Sequence, residues 1–415
     1  MSLAVTGATL DGEPVGLRAD GGLIAELGSS VAPREGDEAI DASGLLLCPP
    51  MVNGHTHAAM TLFRGFGDDM PLMEWLRTKI WPAEAKLKAE DVYWGTRLAC
   101  IEMIRSGTTR FVDMYWHAAE VARAVRDSGI RAMVSSVVID EGDEARLPQL
   151  QDDLLASVDQ VDEFGPRVTP SLGPHAVYTV SAKALEWLGG LVLDRGLPLS
   201  IHLSETEDEV RDCVEAHGKR PAAYLDDLGV LGPRTIVAHG VWLDDSELEL
   251  IAERGTTVVA NPAANMKLGV GGLLPYPRAA RAGVALGLGT DGVSSNSNLD
   301  MFEEVKLFAL TQKHASGDPS TLPAAEALAI ARGLRSEVLG GTPLAVGQPA
   351  DFLLIRGSDP ELSAGDPDAD LVYAAGGSVV DATIVAGEVL MRDRIVPGTE
   401  EVVAEVRARA ARLTA

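Results

Sequence analysis

The middle of the chain alternates short runs of apolar and β-branched residues with longer segments of helical periodicity. The runs occupy residues 52–57, 108–114, 131–138, 167–174, 198–204, 235–240, 256–261 and 284–290. Helical patterns lie between most of them, for example at residues 118–128, 182–195 and 245–254. Short apolar runs separated by helices are typical of buried parallel strands. The pattern therefore predicts a repeating strand–helix unit.

Several of the predicted helices end in a glycine directly before the next strand. These glycines are Gly107, Gly129, Gly196 and Gly255. Glycine readily adopts the left-handed conformation that ends a helix. Eight such units over about 290 residues predict a (β/α)8 TIM-type barrel. An open, doubly wound sheet is the alternative, but no Gly-x-Gly-x-x-Gly segment follows the first predicted strand.

The two ends of the chain have a different character. Asp11-Gly12 and Gly21-Gly22 separate apolar stretches and indicate tight hairpin turns. Near the other end, the apolar runs at 351–355, 371–374, 379–385 and 389–391 predict further short strands. We therefore predict that residues 1–50 and 345–415 together form a small β-sandwich domain, and that residues 51–344 form the barrel.

The charge and cysteine content exclude several classes of function. The chain has 61 Asp and Glu against 35 Lys and Arg, a formal net charge of −26, so nucleic acid and membrane are poor partners. Three widely spaced cysteines without a Cys-x-x-Cys motif argue against a disulfide framework and a thiolate zinc site. The first residues lack the basic and apolar regions of a signal peptide, so we expect none, and no apolar run approaches about 18–20 residues. We expect a cytoplasmic protein that acts on a small molecule, and homo-oligomerisation remains open.

Histidines are concentrated at the ends of the predicted strands. His55 and His57 close the first strand, His202 lies on the fifth, His239 ends the sixth, and Asp291 follows the eighth. In a (β/α)8 barrel these strand ends converge on one mouth. Neutral imidazoles with one carboxylate suit Zn²⁺ and leave a position open for water. An isolated His-x-His pair would favour a buried structural role, but its combination with His202, His239 and Asp291 predicts a metal site.

Glu205 and His175 extend this site. Glu205 follows His202 by three residues, where its carboxylate can carry a proton from water to a leaving group. The alternative for Glu205 is an N-terminal helix position favoured by the helix dipole. His175 ends the fourth strand, and we expect it to contact substrate. The remaining histidines are interpreted as structural or surface residues: His117, His217 and His314.

Four segments resemble the amidohydrolase superfamily in its deaminase and chlorohydrolase branch: residues 52–57, 202–205, 238–240 and 289–292. Further segments are similar to the 5′-methylthioadenosine/S-adenosylhomocysteine deaminases of that branch: residues 72–75, 80–87, 173–179, 291–296 and 299–302. The resemblance covers nearly the whole chain. The sequence departs from the family pattern at Pro50, where Gly is usual, and at Ala263 and Ala264, where Thr and Ser are usual.

The resemblance implies the roles of particular residues. One Zn²⁺ per chain, or Fe²⁺ or Mn²⁺ in its place, would be held by His55, His57, His202 and Asp291. Catalytic roles fall to Glu205, His239 and Asp291. Substrate contacts fall to Glu84, His175, Glu205, Trp75, Arg146 and Ser295. Glu84 would accept hydrogen bonds from the ribose hydroxyls, although spacing alone fits an acidic residue at a helix N-terminus after Pro82 equally well.

The implied reaction is zinc-dependent hydrolytic deamination of an adenine nucleoside to the inosine analogue and ammonia. The implied substrates are 5′-methylthioadenosine, S-adenosylhomocysteine and adenosine. The same site could instead deaminate 6-aminodeoxyfutalosine or guanine, or displace chloride or an amine from an s-triazine. A non-catalytic metal-binding scaffold is the alternative from a different class.

Overall fold

The computed structural model describes residues 2–362 and 365–415. Strands are numbered along the chain. The first five are β1 (Ser2–Leu10), β2 (Glu13–Asp20), β3 (Leu23–Gly28), β4 (Glu38–Asp41) and β5 (Leu45–Cys48). The middle nine are β6 (Met51–His57), β7 (Thr108–Tyr115), β8 (Arg131–Val138), β9 (Val168–Pro174), β10 (Leu199–Leu203), β11 (Thr235–His239), β12 (Thr257–Ala260), β13 (Ala285–Leu288) and β14 (Asp291–Gly292). The last three are β15 (Phe352–Arg356), β16 (Val380–Val385) and β17 (Glu388–Met391).

The α-helices are numbered in the same way. Those up to β10 are α1 (Leu72–Trp75), α2 (Trp81–Glu84), α3 (Ala89–Arg105), α4 (Ala118–Ser128), α5 (Leu147–Asp162) and α6 (Ala182–Arg195). Those between β10 and β14 are α7 (Glu207–His217), α8 (Pro221–Asp227), α9 (Asp245–Arg254), α10 (Pro262–Lys267) and α11 (Tyr276–Ala282). The others are α12 (Val293–Asn296), α13 (Met301–Ser316), α14 (Ala324–Ala331), α15 (Pro367–Tyr373) and α16 (Thr399–Leu413).

The predicted barrel is confirmed. Strands β6 to β13 pair in sequence order, and each pair is parallel. The eighth strand is interrupted. Its first part, β13, pairs with β12, whereas its second part, β14, is separated from β13 by two residues and pairs with β6. The circle of strands is therefore closed, and the carboxyl ends of all its strands meet at one mouth.

Glycine caps end the helices where the sequence predicts them. The helices predicted at 118–128, 182–195 and 245–254 match α4, α6 and α9. The residues that follow them are Gly129, Gly196 and Gly255, with φ of 77°, 67° and 70°. This left-handed conformation is strained for residues with a Cβ. The caps end each helix sharply, so that the chain can turn directly into the next strand.

The two ends of the chain form one mixed sheet, as predicted. Its strand order is β17-β16-β15-β5-β1-β2-β3, and β4 pairs with β1. Leu17 and Ile24 from one end of this sheet share a buried cluster with Phe352 and Ile384 from the other. The sheet therefore curls around a core of its own. The division of the chain into domains at residues 50 and 345 stays a prediction.

One predicted strand is wrong. Residues 371–374 were expected to be extended, but they belong to α15 and its end. Asp366 accepts a hydrogen bond from the backbone N–H of Asp368, and Pro367 occupies the first turn, so the segment before the apolar run starts a helix. Leu371 and Val372 are buried on one side of that helix. A short apolar run alone does not distinguish a strand from a buried helical turn.

Across residues 2–362 and 365–415, no helix has both the length and the apolar composition needed to cross a lipid bilayer. All three cysteines are free and buried.

A buried ion pair joins the barrel to the terminal sheet. Arg131 on β8 donates two hydrogen bonds to Asp351, of 2.7 and 3.0 Å, and Asp351 also accepts the backbone N–H of Ala386 at 2.7 Å. We expect Asp351→Asn to lower the free energy of unfolding by about 3 kcal/mol, because it leaves a largely buried guanidinium without its counter-charge. Thermal denaturation of the variant measures this loss.

A matched exposed pair provides the control. Arg254 makes the same two-bond contact with Asp226, but its side chain is 42% exposed, against 13% for Arg131. Asp226→Asn should cost less than about 1 kcal/mol. Equal losses in the two variants would show that the Arg131–Asp351 pair contributes no more than an exposed ion pair.

Candidate active site

Four buried side chains converge at the barrel mouth. His55, His202, His239 and Asp291 each offer one ligand atom, and these atoms lie within 4.8 Å of one another. His57 joins them, since its Nε2 is 3.2 Å from Asp291 Oδ1 and 3.3 Å from His202 Nε2. The structure thus brings together all four predicted metal ligands, with His239 in the same cluster.

The chemistry of the cluster fits a metal cation. His55 is fully buried; its Nδ1 has no hydrogen-bond partner among the described residues, and its Nε2 lies 3.5 Å from Asp291 Oδ1. A buried ring nitrogen without a hydrogen-bond partner is costly unless another group, such as a metal ion, takes its lone pair. Burial lowers the pKa of His55 to about 4, which keeps the ring in the neutral form that metals bind. Three imidazoles and a carboxylate form a typical divalent transition-metal set.

Backbone carbonyls orient two of the imidazoles. His57 Nδ1 lies 2.6 Å from the carbonyl oxygen of Met114, and His202 Nδ1 lies 2.7 Å from that of His175. Because a carbonyl only accepts, each Nδ1 carries the proton and donates it. The Nε2 lone pair of each ring is then free to bind a cation.

Asn265 orients His239. Its side-chain oxygen is 2.8 Å from His239 Nδ1, and both residues are buried. The sequence analysis did not identify Asn265 as a site residue. The available signal was its position in the segment after the seventh strand, next to Ala263 and Ala264, where the chain departs from the family pattern.

Three residues at the strand ends adopt left-handed backbone conformations although they have a Cβ. Ser204, His239 and Asp291 have φ of 51°, 74° and 61°. Such conformations cost about 1–3 kcal/mol each and often occur at functional sites. Each of these residues turns the chain sharply where a strand ends. The fold thus accepts backbone strain at the points from which the site is built.

Glu205 lies beside the cluster and is buried, and its Oε1 is 3.8 Å from His239 Nδ1. It is not the helix cap considered as its alternative role, because Thr206 caps α7 by accepting the backbone N–H of Glu209. Glu209 in turn accepts the backbone N–H groups of Ser204 at 2.7 Å and Glu205 at 2.9 Å. Burial raises the pKa of Glu205 and raises that of Glu209 to about 7. Glu209 was not predicted from the sequence.

A cavity opens from the cluster to the surface, and its wall combines apolar side chains with a few polar groups, as in small-molecule sites. Trp75, Glu84, His175 and Ser295 line it, as predicted for substrate contacts, although their roles remain predictions. Ser295 donates a hydrogen bond of 2.6 Å to Asp291 Oδ2. Much of the remaining wall is apolar, contributed by Met60, Leu72, Leu76, Ile80, Trp81, Met114, Trp116, Val137, Ile139 and Leu268.

The structure places Arg146 outside this cavity. Arg146 is exposed directly before α5 and lines a neighbouring cavity, which shares Trp116, Val137 and Ile139 with the first. A contact between Arg146 and substrate stays a prediction. His117, His217 and His314 are exposed, in agreement with their interpretation as surface residues.

Comparison with known proteins places these observations in a family. The model of the amidohydrolase family matches residues 46–390. A 5′-deoxyadenosine deaminase of Methanoregula boonei is 48% identical over 94% of this chain and 90% of its own length. A 5-methylthioadenosine/S-adenosylhomocysteine deaminase of Syntrophobacter fumaroxidans is 42% identical over 98% of this chain and 96% of its own length.

A solved structure agrees with these relatives. An adenosine deaminase from Xanthomonas campestris with bound zinc has a TM-score of 0.93 and 33% sequence identity, and the match covers 99% of this chain and 98% of that one. The family match includes all nine barrel strands and much of the C-terminal part of the terminal sheet. The chain belongs to the amidohydrolase family.

Proposed function

We propose that this protein is a metal-dependent aminohydrolase that removes the 6-amino group of an adenine nucleoside by hydrolysis. The observation that carries the proposal is the pairing of two carboxylates in one cavity. Glu205 lies beside the His–Asp cluster, whereas Glu84 lines the same cavity on a different element. We assign proton transfer to Glu205 and sugar binding to Glu84. The names of the M. boonei and S. fumaroxidans relatives support this substrate class.

We assign the metal as Zn²⁺, held by His55, His57, His202 and Asp291. The donor set of imidazoles and one carboxylate supports this assignment, as does the bound zinc in the X. campestris structure. When bound, the ion lowers the pKa of a coordinated water towards about 7 and so makes an oxygen nucleophile available at neutral pH.

The residues around the cluster then move the protons. Glu205 takes a proton from the attacking water and delivers it to ring N1, which makes C6 of the adenine electrophilic. His239 and Asp291 orient the attacking oxygen on one face of the base. The second proton of the attacking water then passes to the amino group, the bond from C6 to that nitrogen breaks as the C6 carbonyl forms, ammonia leaves, and the base becomes hypoxanthine. The raised pKa of Glu205 suits a group that both accepts and gives up a proton near neutral pH.

The other cavity residues bind the substrate. Glu84 accepts hydrogen bonds from the 2′- and 3′-hydroxyls of the ribose. His175 contacts the nucleoside, Trp75 forms part of the apolar wall, and Ser295 lies beside Asp291. The names of the relatives favour a nucleoside altered at its 5′ position, such as 5′-deoxyadenosine, 5′-methylthioadenosine or S-adenosylhomocysteine.

A substrate panel tests the proposal. Ammonia release is measured for zinc-loaded protein with 5′-deoxyadenosine, 5′-methylthioadenosine, S-adenosylhomocysteine and adenosine. Guanine and a chloro-s-triazine serve as controls, with chloride release measured for the latter. We expect ammonia from adenine nucleosides only. Chloride release, or turnover of guanine alone, would contradict the proposed substrate class while leaving the metal site in place.

The role of Glu84 predicts selectivity for ribose. We expect kcat/KM for 2′-deoxyadenosine to be between about 10²- and 10⁴-fold below that for adenosine, because the missing hydroxyl leaves a half-buried acceptor unpaired. Steady-state kinetics on the two nucleosides measures the ratio. Equal values would remove Glu84 from the binding site.

A further inference from the structure

We infer that Tyr115 is a positioning residue that orients Glu84 to accept hydrogen bonds from two neighbouring hydroxyls of a sugar, and that it thereby sets the preference of the enzyme for ribonucleosides. This inference rests on the proposed function. It concerns a residue to which the sequence analysis assigned no role, because the predicted second strand stopped at Met114.

Tyr115 is the last residue of β7, so it lies at the barrel mouth. Its side chain is buried, and its hydroxyl donates a hydrogen bond of 2.7 Å to Glu84 Oε1. Glu84 ends α2, in the stretch of residues 72–84 that contributes six residues to the cavity wall: Leu72, Trp75, Leu76, Ile80, Trp81 and Glu84. The bond therefore joins a barrel strand to the segment that covers the cavity.

The free acceptor sites on Glu84 can take both hydroxyls of a vicinal diol. An ionised carboxylate has about four lone-pair sites. Tyr115 uses one of them, on Oε1. The remaining sites belong to a carboxylate whose orientation is fixed from the side of β7. The two hydroxyls of a ribose ring can donate to these sites together.

The bond from Tyr115 also favours the charged form of Glu84. Burial raises the pKa of Glu84, whereas the hydrogen bond from Tyr115 acts in the opposite direction. A protonated carboxyl group would offer fewer acceptor sites and could itself donate. Tyr115 thus maintains both the orientation and the ionisation that acceptance of two hydroxyl donors requires.

The variant Tyr115→Phe tests the inference with little disturbance of packing, because it removes only the hydroxyl. We expect KM for adenosine to rise about tenfold, the equivalent of about 1.4 kcal/mol, while kcat changes less than about threefold. The kcat/KM for 2′,3′-dideoxyadenosine should be unchanged, because that nucleoside has no hydroxyl for Glu84 to accept. The ratio of the two kcat/KM values should therefore fall about tenfold.

Two further variants serve as controls. Tyr93 also donates to a carboxylate, at 3.0 Å from Asp127, but neither residue lines the cavity, so Tyr93→Phe should leave both substrates unaffected. In a Glu84→Gln background, Tyr115→Phe should have much less effect on the adenosine KM, since the two residues act through one bond.

The outcomes separate the inference from the proposed function. A loss confined to the ribonucleoside and expressed in KM supports it. An equal loss on adenosine and dideoxyadenosine, or no loss on either, overturns the inference while the wild-type activity upholds the proposed function. Wild-type protein that deaminates no adenine nucleoside contradicts the proposed function, and the inference falls with it.

Discussion

Replacement of Glu205 by Gln is expected to lower kcat for ammonia release by about 10²-fold or more while the protein retains its metal. Gln keeps the shape of the side chain but cannot take a proton from water and pass it to the base. Glu205 is not among the assigned metal ligands, so metal binding should survive. The measurement combines the kcat of the variant with its metal content by elemental analysis.

Glu207→Gln is the matched control. Glu207 lies two residues further along, in the first turn of α7, and is exposed. It shares the local acidic sequence but not the position beside the cluster, and its replacement should leave kcat within about twofold of wild type. Near-normal activity in the Glu205 variant would show that another group transfers the proton.

Removal of the metal should have an equally large effect. We expect chelation to abolish turnover and to lower the melting temperature, because the ion stabilises only the folded protein, by about 2.7 kcal/mol at a hundredfold excess over its Kd. Added Zn²⁺ should restore both properties. Replacement of Asp291 by Asn should reproduce the loss, since it removes the only carboxylate among the assigned ligands.

A variant of a surface histidine is the control that distinguishes zinc binding at the cluster from non-specific zinc binding by exposed imidazoles. His314→Gln changes an exposed imidazole that does not line the cavity, and it should alter neither metal content nor turnover. Full activity of the chelated protein, with no metal detectable, would contradict a metal-dependent reaction.

The barrel and its cluster could be predicted because both depend on local patterns. Gly129, Gly196 and Gly255 mark the helix ends, and the strands that follow are short, buried and parallel. Once a closed barrel is expected, residues at the strand ends must meet. His55 and Asp291 are therefore predictable neighbours despite their separation in sequence.

The partners of the site residues were not predictable in the same way. Tyr115 bonds to Glu84, 31 residues away, and His239 bonds to Asn265, 26 residues away. Each pair connects a strand end to a short helix whose path over the mouth depends on tertiary packing. No periodicity in the sequence determines which side chain the helix will direct towards the strand.

The position of Arg146 illustrates the same limit on loops. The chain after β8 is held by Asp140, which accepts the Ser181 hydroxyl at 2.6 Å and the Gly142 backbone N–H at 3.0 Å. These contacts determine the path towards α5 and leave Arg146 exposed beside a neighbouring cavity. The order of elements in the sequence places Arg146 after the third barrel strand. It does not determine which cavity the Arg146 side chain faces.

The most direct test of the central claim is the product formed by zinc-loaded protein from 5′-deoxyadenosine in isotopically labelled water, identified by mass spectrometry. The account predicts 5′-deoxyinosine carrying one labelled oxygen, one ammonia for each product, and a kcat/KM above about 10⁴ M⁻¹s⁻¹. Free adenine, unlabelled product or no turnover of this and every other adenine nucleoside would contradict hydrolytic deamination at this site.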